Sequence, residues 1–249
     1  FNTYSFFALY ANVDGFVNDR DQIPIEDRPE IDRWIISLLN TLVKEVDEAF
    51  NDYDITTAAR KIQDFVTDNL SNWYVRLNRK RFWGGSMDAD KLSAYQTLYT
   101  CLETIAIIAA PVAPFFMEQL YRDISAVRVP DRGTCRVSVH ETLFPQADPS
   151  DVDIKLQERM ELAQRASSMI LALRRKVNIK VRQPLSRILI PVTDEELKNQ
   201  LNIVKGLILN EVNVKEMEFI YNTRNLVTKK IKPNFKTLGK KYGKQMKEI

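Results

Sequence analysis

Apolar residues recur every three or four positions through the first half of the chain, which is the spacing of one buried face on an α-helix. The clearest case follows residues 17–29, a stretch with two prolines that predicts a loop. Its apolar stripe comprises Ile31, Trp34, Ile35, Leu38, Leu39, Leu42, Val46, Ala49 and Phe50. Asp27 and Glu30 have the spacing of a capping box, with Pro29 in the first turn, so we expect Asp27 to cap this helix.

The same spacing predicts further helices before and after it, over residues 6–14, 55–83, 88–110, 114–124 and 151–178. Gly15 suits the left-handed residue that ends the first of these, and Gly84 and Gly85 end the second. Pro111 and Pro114 break the helix that precedes them. Antiparallel helices with connections of this length predict a bundle.

Beyond about residue 180 the pattern changes to short apolar runs typical of strands. We expect strands over residues 186–191, 212–220 and 226–232, and a helix over 194–209 with Asp194 near its cap. The fold class predicted is mainly α, an antiparallel helical bundle followed by a small α+β subdomain. The expected divisions are a bundle (1–126), a connecting segment with a long helix (127–180) and an α+β subdomain (181–249). A start without methionine and an end within a basic stretch lead us to expect a fragment, truncated at its C-terminus.

Composition agrees with a folded protein, since 45% of residues are apolar and 28% are charged. No uninterrupted apolar run approaches the roughly 20 residues of a membrane helix. Cys101 and Cys135 are too far apart in sequence to indicate a zinc site or a disulfide framework, so a cytoplasmic location is expected. Residues 1–150 carry 15 Lys and Arg against 22 Asp and Glu, and residues 151–249 carry 21 against 11. A basic second part favours a polyanionic partner, with a solvated lysine-rich surface as the alternative.

Catalytic motifs are missing from the sequence. The single histidine, His140, has no accompanying Gly-x-Ser-x-Gly or cysteine nucleophile signature. No phosphate-binding Gly-x-x-x-x-Gly-Lys loop exists, and the seven glycines are too scattered for a dinucleotide fingerprint. We therefore predict a binding module with no catalytic and no metal-binding residues, and keep a hydrolase centred on His140 as an alternative.

The strongest binding signal is the segment 72–83, which joins four cationic side chains to four aromatic ones at the end of one predicted helix. Cations that hold phosphates and planes that stack on bases are how proteins recognise RNA loops. Helical spacing places Trp73 toward the core and the following residues along one exposed stripe: Asn72, Arg76, Arg79 and Trp83. The alternative is that the cations only complement the negative end of the helix dipole.

A second basic run lies at residues 174–182, where five cations straddle a helix end and the start of an extended segment. Alternation there places Lys180 and Arg182 on the face opposite Ile179 and Val181. A third run, the lysine-rich tail 229–247, is typical of non-specific binding or a solvated surface.

Several segments, in the same order along the chain, resemble the isoleucyl-tRNA synthetase family of class Ia aminoacyl-tRNA synthetases, in its eukaryote-like type. They are Leu70–Trp83, Ala109–Glu118 with its Ala-Pro-x-x-Pro-Phe motif, Ser138–Pro145, Leu173–Leu185 and the opening Asn2–Asn12. The resemblance implies a class Ia anticodon-binding domain. The family's HIGH and KMSKS signatures are absent from this sequence, so the resemblance places adenylation, aminoacyl transfer and editing outside it.

The resemblance also implies partners and contacts. Isoleucine tRNA and the catalytic and editing domains of the same chain are the expected partners, with neither DNA nor a membrane among them. ATP and magnesium, with zinc as a further candidate, would belong to the whole enzyme, and no cofactor is expected in this segment. By position, contacts in the related methionine enzyme map to Trp73 and to the neighbourhood of Asn12.

The predicted tRNA-binding residues are Asn72, Arg76, Arg79, Lys80, Trp83, Arg174, Arg175, Lys180 and Arg182, followed by Asn12 and Trp73. Their expected role is to anchor phosphates and stack on bases. Two alternatives remain open: the same module in a valine, leucine or methionine enzyme, and a helical protein-interaction domain that uses the acidic face of its bundle.

Overall fold

The computed structural model describes residues 1–18, 22–125 and 138–221, and the chain divides into two compact units after Leu173. The sequence pattern placed the change of fold near residue 180. The helices of the first unit are α1 (Asn2–Asp14), α2 (Glu30–Asn51), α3 (Ile55–Asp64), α4 (Arg76–Phe82), α5 (Ala89–Ala109), α6 (Pro114–Ser125) and most of α7 (Ile154–Lys176). Every helix in these three ranges is too short or too polar to cross a membrane.

The ends of the helices test the predicted caps. Gly15 follows α1 with φ of 64°, in the left-handed conformation predicted for it. The predicted cap of α2 is wrong, because α2 begins at Glu30 with Pro29 at the N-cap and no side-chain cap. Asp27 instead lies in the 3-10 turn Ile25–Asp27, two residues before that N-cap, and its carboxylate does not cap the first turn of α2.

The predicted helix 55–83 is present but is not uniform. Asp54 caps α3 by accepting a hydrogen bond from the backbone N–H of Thr57 at 3.0 Å. Between α3 and α4 the chain forms a π-helical segment, Phe65–Val75, which the 3.6-residue period does not predict. The wider turn brings three successive residues, Trp73 to Val75, into the core.

The core of the first unit surrounds α5. Seven successive residues of this helix, 93–99, are buried, which fits a helix packed against neighbours on all sides. It contacts α1, α2, α3, α4 and α6. An aromatic cluster links its Tyr95 to the rings of Phe7, Phe16 and Phe82, and Phe82 to Phe6.

The second unit begins at Arg174 and, as far as Tyr221, contains a two-stranded parallel sheet. Its elements are β1 (Leu185–Pro191), α8 (Glu195–Ile203), α9 (Lys205–Val212) and β2 (Val214–Ile220), and Leu185 lies opposite Val214. Parallel strands need a crossover, which α8 and α9 provide. The α+β prediction is confirmed, although the helix predicted over 194–209 is two helices. Asp194 caps α8, with Leu197 N–H as donor.

The remaining predictions fall partly outside the described ranges. The third predicted strand (226–232), the lysine-rich tail and Cys135 lie outside them. Before the long helix of the predicted connecting segment 127–180, residues 138–153 are described, and they include the 3-10 turns Val139–Glu141 and Pro149–Asp151. Cys101, on α5, is fully buried.

Candidate nucleic-acid interface

The segment 72–83 divides into two sets of side chains according to the face they occupy. The exposed set, which we call the outward face, comprises Asn72, Arg76, Arg79, Lys80 and Trp83. Four of these have the spacing that predicted an exposed stripe, and the indole of Trp83 is 57% exposed. The outward face therefore carries three cations, one amide and one aromatic plane, along the π-helical segment, α4 and the residue that ends it.

The buried set includes the other aromatic residues of the segment. Trp73 is 4% exposed, and Tyr74 and Phe82 are buried almost completely. The helical spacing of Trp73 predicted this inward direction. The contact with tRNA that the resemblance assigned to Trp73 is therefore corrected, because a buried indole presents no face to a base. No acceptor lies within hydrogen-bonding distance of its Nε1 among the described residues.

Arg81 also faces inward and is half-buried, although the sequence shows it as one more cation of the run. Its guanidinium donates to both carboxylate oxygens of Asp32, at 2.7 and 2.9 Å. The Asp32 side chain is fully buried and that of Arg81 is 13% exposed. Arg81 also donates from Nε to the Asp90 carboxylate at 2.9 Å, so it joins α4 to α2 and to the first turn of α5.

Two hydroxyl groups complete the surroundings of Asp32. Tyr74 donates to Oδ1 at 2.7 Å and Ser93 donates to Oδ2 at 2.6 Å. Burial and the neighbouring Asp32 charge raise the pKa of Tyr74 well above its ordinary value. Burial disfavours the charge on Arg81, but the hydrogen bonds and charge of Asp32 outweigh it and raise the pKa of Arg81.

This buried network fixes the rotation of α4 about its axis. A planar guanidinium bonded to both oxygens of a carboxylate has one favoured orientation. Because Arg81 is held inward, Arg79 and Lys80, on the same turn, are left facing outward. Asn78, also buried, joins α4 to the π-helical segment before it, since its amide donates to the Tyr74 carbonyl at 2.8 Å.

Asn12 lies near the end of α1 and is exposed, as is its neighbour Val13. The rings of Phe6, on α1, and Phe82, on α4, have centroids 5.1 Å apart. A half-buried ring, Phe6, and a buried one, Phe82, therefore join the two helices. Asn12 stays a candidate by position alone.

The second basic run also contains one buried arginine. Arg174 is 3% exposed, and its Nη2 donates to the carbonyls of Lys180, Val181 and Gln183. Its Nε and Nη1 have no hydrogen-bond partner among the described residues. The prediction that Arg174 anchors a phosphate is corrected: its guanidinium holds the turn that follows α7.

The other cations of this run, Arg175, Lys180 and Arg182, are exposed. Residues 181–182, for which alternation predicted an extended chain, form a turn, and β1 begins only at Leu185. Asn178, with φ of 58°, reverses the chain after the helix. Hydrogen bonds from Arg174 to the following carbonyls explain why turns replace the strand.

His140 is exposed in the turn Val139–Glu141. The nearby hydroxyl of Ser138 donates to Glu118 at 2.9 Å and accepts from the backbone N–H of His140. This Ser138 is therefore occupied in capping its turn. Within the described ranges, no group of three or more His, Cys, Asp or Glu side chains is placed to hold a metal ion.

Sequence reasoning missed the role of Asp32. Its position in the first turn of α2 suits the helix dipole, so nothing local marks it as a buried acid. The available signal is its spacing: three residues before Ile35 and seven before Leu39, Asp32 lies on the buried apolar face of α2. An acid on that face requires a cation from another helix.

Comparisons with known proteins give relatives across the whole chain. The family model described as the anticodon-binding domain of tRNA ligase matches residues 32–190. The isoleucine–tRNA ligase of Bacteroides thetaiotaomicron is 58% identical over 249 residues, covering 100% of this chain and 21% of that protein. The isoleucine–tRNA ligase of Porphyromonas gingivalis is 54% identical, with 100% and 21% covered.

More distant relatives bear the same name. The isoleucine–tRNA ligase of Clostridium novyi is 42% identical over 248 residues, covering 100% of this chain and 23% of that protein. The chain spans about a fifth of the length of these curated relatives.

Proposed function

The chain belongs to the family of anticodon-binding domains of tRNA ligases, and on this basis we propose that it binds the anticodon arm of an isoleucine tRNA. The three relatives compared above, which match this chain across its whole length, are named isoleucine–tRNA ligases and are 42% to 58% identical to it. We propose that it acts as one segment of such a ligase.

One observation supports this proposal above the others: the outward face of segment 72–83 gathers cations and an exposed indole on one side of a fixed helix. Cations contact phosphates without regard to sequence, and aromatic planes stack on bases that leave the helix of an RNA loop. An anticodon loop offers both targets. Arg175, Lys180 and Arg182 form a second exposed basic surface for the same polyanion.

The remainder of the ligase would carry out the chemistry. We propose that ATP and magnesium, with zinc as a further candidate, are bound outside this segment, and that the segment acts by holding the tRNA while distant domains act on its acceptor end. The catalytic and editing domains are its proposed partners, and the cytoplasm its proposed location.

Titration of this chain with isoleucine tRNA, and with the same tRNA carrying a different anticodon, tests the proposal. We expect tighter binding of the natural tRNA, with affinity that falls as salt rises. Equal affinity for both RNAs would contradict anticodon recognition and leave only a basic surface.

The same titration separates the alternatives. Valine, leucine and methionine tRNAs, added in turn, should bind more weakly than isoleucine tRNA if the identity proposed here is right. Tighter binding of one of them would reassign the segment to the corresponding enzyme. Retention of a protein partner after nuclease treatment, without tRNA binding, would favour a protein-interaction domain.

A further inference from the structure

A buried cation and a partly exposed anion connect the end of α1 to the start of α5. The ammonium of Lys91 lies 2.7 Å from Oδ2 of Asp14, and the Lys91 side chain is 4% exposed while that of Asp14 is 20% exposed. The hydroxyl of Tyr95 donates to the same carboxylate oxygen. Burial raises the pKa of Asp14, but the hydrogen bonds from Lys91 and Tyr95 outweigh it and leave that pKa below its ordinary value.

Each member of the pair stands at the unfavourable end of its own helix. Asp14 is the last residue of α1, where the helix dipole disfavours an anion, and Lys91 is in the first turn of α5, where it disfavours a cation. Local preference therefore argues against both residues. Their contact with each other accounts for their positions.

The same lysine reaches the loop that follows Trp83. Its ammonium lies 3.5 Å from the carbonyl oxygen of Gly84, the next residue along the chain. On the other side of Trp83, the ring of Phe82 packs against Tyr95 with centroids 4.9 Å apart. Trp83 is thus the exposed residue between two neighbours that are both tied to the first two turns of α5.

Arg81 adds a third connection between these elements. Its Nη2 donates to the backbone carbonyl of Asp90 at 2.7 Å, in the same turn of α5 as Lys91. The end of α4 is therefore held through Arg81, while Lys91 holds the loop beyond it and the end of α1.

We propose that Lys91 and Asp14 are positioning residues for the recognition of the anticodon arm, in that their contact sets where Trp83 stands relative to the cations of the outward face. This inference rests on the proposed function, with Trp83 as the stacking residue. The Lys91 ammonium is buried and paired, so it contributes by placing Trp83 and makes no contact with a phosphate.

The test uses Lys91→Met in the 249-residue chain, which removes the charge and keeps an unbranched side chain of similar length. We expect affinity for isoleucine tRNA to fall roughly 2- to 30-fold, the range for side chains that act on a site through packing. Discrimination against the anticodon-swapped tRNA should fall with it. The salt dependence of binding should stay at the wild-type slope, because no phosphate contact is lost.

Two matched variants control for lost ion pairs and lost charge. Lys61→Met removes another pair between helices, Lys61 with Glu45 at 2.8 Å, and should leave affinity and discrimination unchanged. Lys91→Arg restores a cation beside Asp14 and should recover discrimination. If Lys91→Met does not fold, Asp14→Asn provides the same readouts, because it keeps a polar group for Lys91 and Tyr95.

Wild-type discrimination in a folded Lys91→Met chain would overturn the inference, as would a loss of affinity accompanied by a shallower salt slope. The second result would mean that Lys91 contacts phosphate. If the wild-type chain itself binds both RNAs equally, the proposed function fails instead, so the two failures are distinguishable.

Discussion

The two basic segments, 72–83 and 174–182, each turn one arginine inward, but the two arginines have different partners. At the end of α4, Arg81 meets the carboxylate of Asp32 with two hydrogen bonds. At the end of α7, Arg174 meets three backbone carbonyls and leaves two of its nitrogen atoms without a partner among the described residues. One arginine connects helices, whereas the other holds a turn.

The comparison shows that a run of cations is not a single functional unit. In each segment one arginine faces inward and stabilises the fold, and its neighbours are left on the surface. Counting charges overestimates the number available to a phosphate. The structural arginine also fixes the direction of the others, since its bonds determine how the helix or turn is oriented.

The largest effect on stability is expected when Arg81 is removed and the carboxylate of Asp32 remains. Arg81→Ala should lower the free energy of unfolding by about 3–5 kcal/mol, because it leaves the fully buried Asp32 without its cation. Urea unfolding followed by tryptophan fluorescence measures this. Lys61→Ala, which removes the more exposed pair with Glu45, should cost about 1 kcal/mol or less. A similar small loss for both variants would contradict the structural role of Arg81.

Removal of the exposed indole should change binding and leave stability unchanged. Trp83→Ala is expected to weaken isoleucine-tRNA binding by about 1–3 kcal/mol, the range for one stacked base. Trp83→Phe keeps an aromatic plane and should recover part of the loss. Fluorescence anisotropy of labelled tRNA gives both affinities. If Trp83→Phe binds no better than Trp83→Ala, the indole acts by something other than stacking.

A smaller effect is expected at the second segment. Arg174→Met should lower the free energy of unfolding by about 1 kcal/mol, because three carbonyls lose their donor but two unpartnered nitrogens also leave the interior. The salt dependence of tRNA binding should not change. A shallower slope for this variant would show that the guanidinium reaches a phosphate after all.

The helices and their inward faces follow from the sequence because burial has a period. The spacing around Trp73 correctly separates it from Arg79, six residues later. The same spacing places Arg81 about 200° around the helix from Arg79, outside the exposed stripe. It does not reveal what Arg81 binds, because Asp32 is on another helix.

Three other features could not be predicted from the spacing of apolar residues: the π-helical segment, the start of α2 and the turn after α7. The π-helical segment Phe65–Val75 changes the period itself, so a template of 3.6 residues cannot detect it. The capping box predicted at Asp27 does not form, because the apolar pattern is compatible with several first residues for α2. The helix begins at Glu30, directly after Pro29. The turn after α7 forms because Arg174 bonds to carbonyls further along, where alternation alone predicted an extended chain.

The most direct test of the division between inward and outward residues is the salt dependence of isoleucine-tRNA binding by Arg79→Ala. We expect a small loss of affinity, about 1 kcal/mol or less as for an exposed charge pair, and a slope reduced by about 0.7–0.9 for one lost phosphate contact. Thermal unfolding should match the wild type. An unchanged slope together with a lowered midpoint of unfolding would make Arg79 structural and contradict the account.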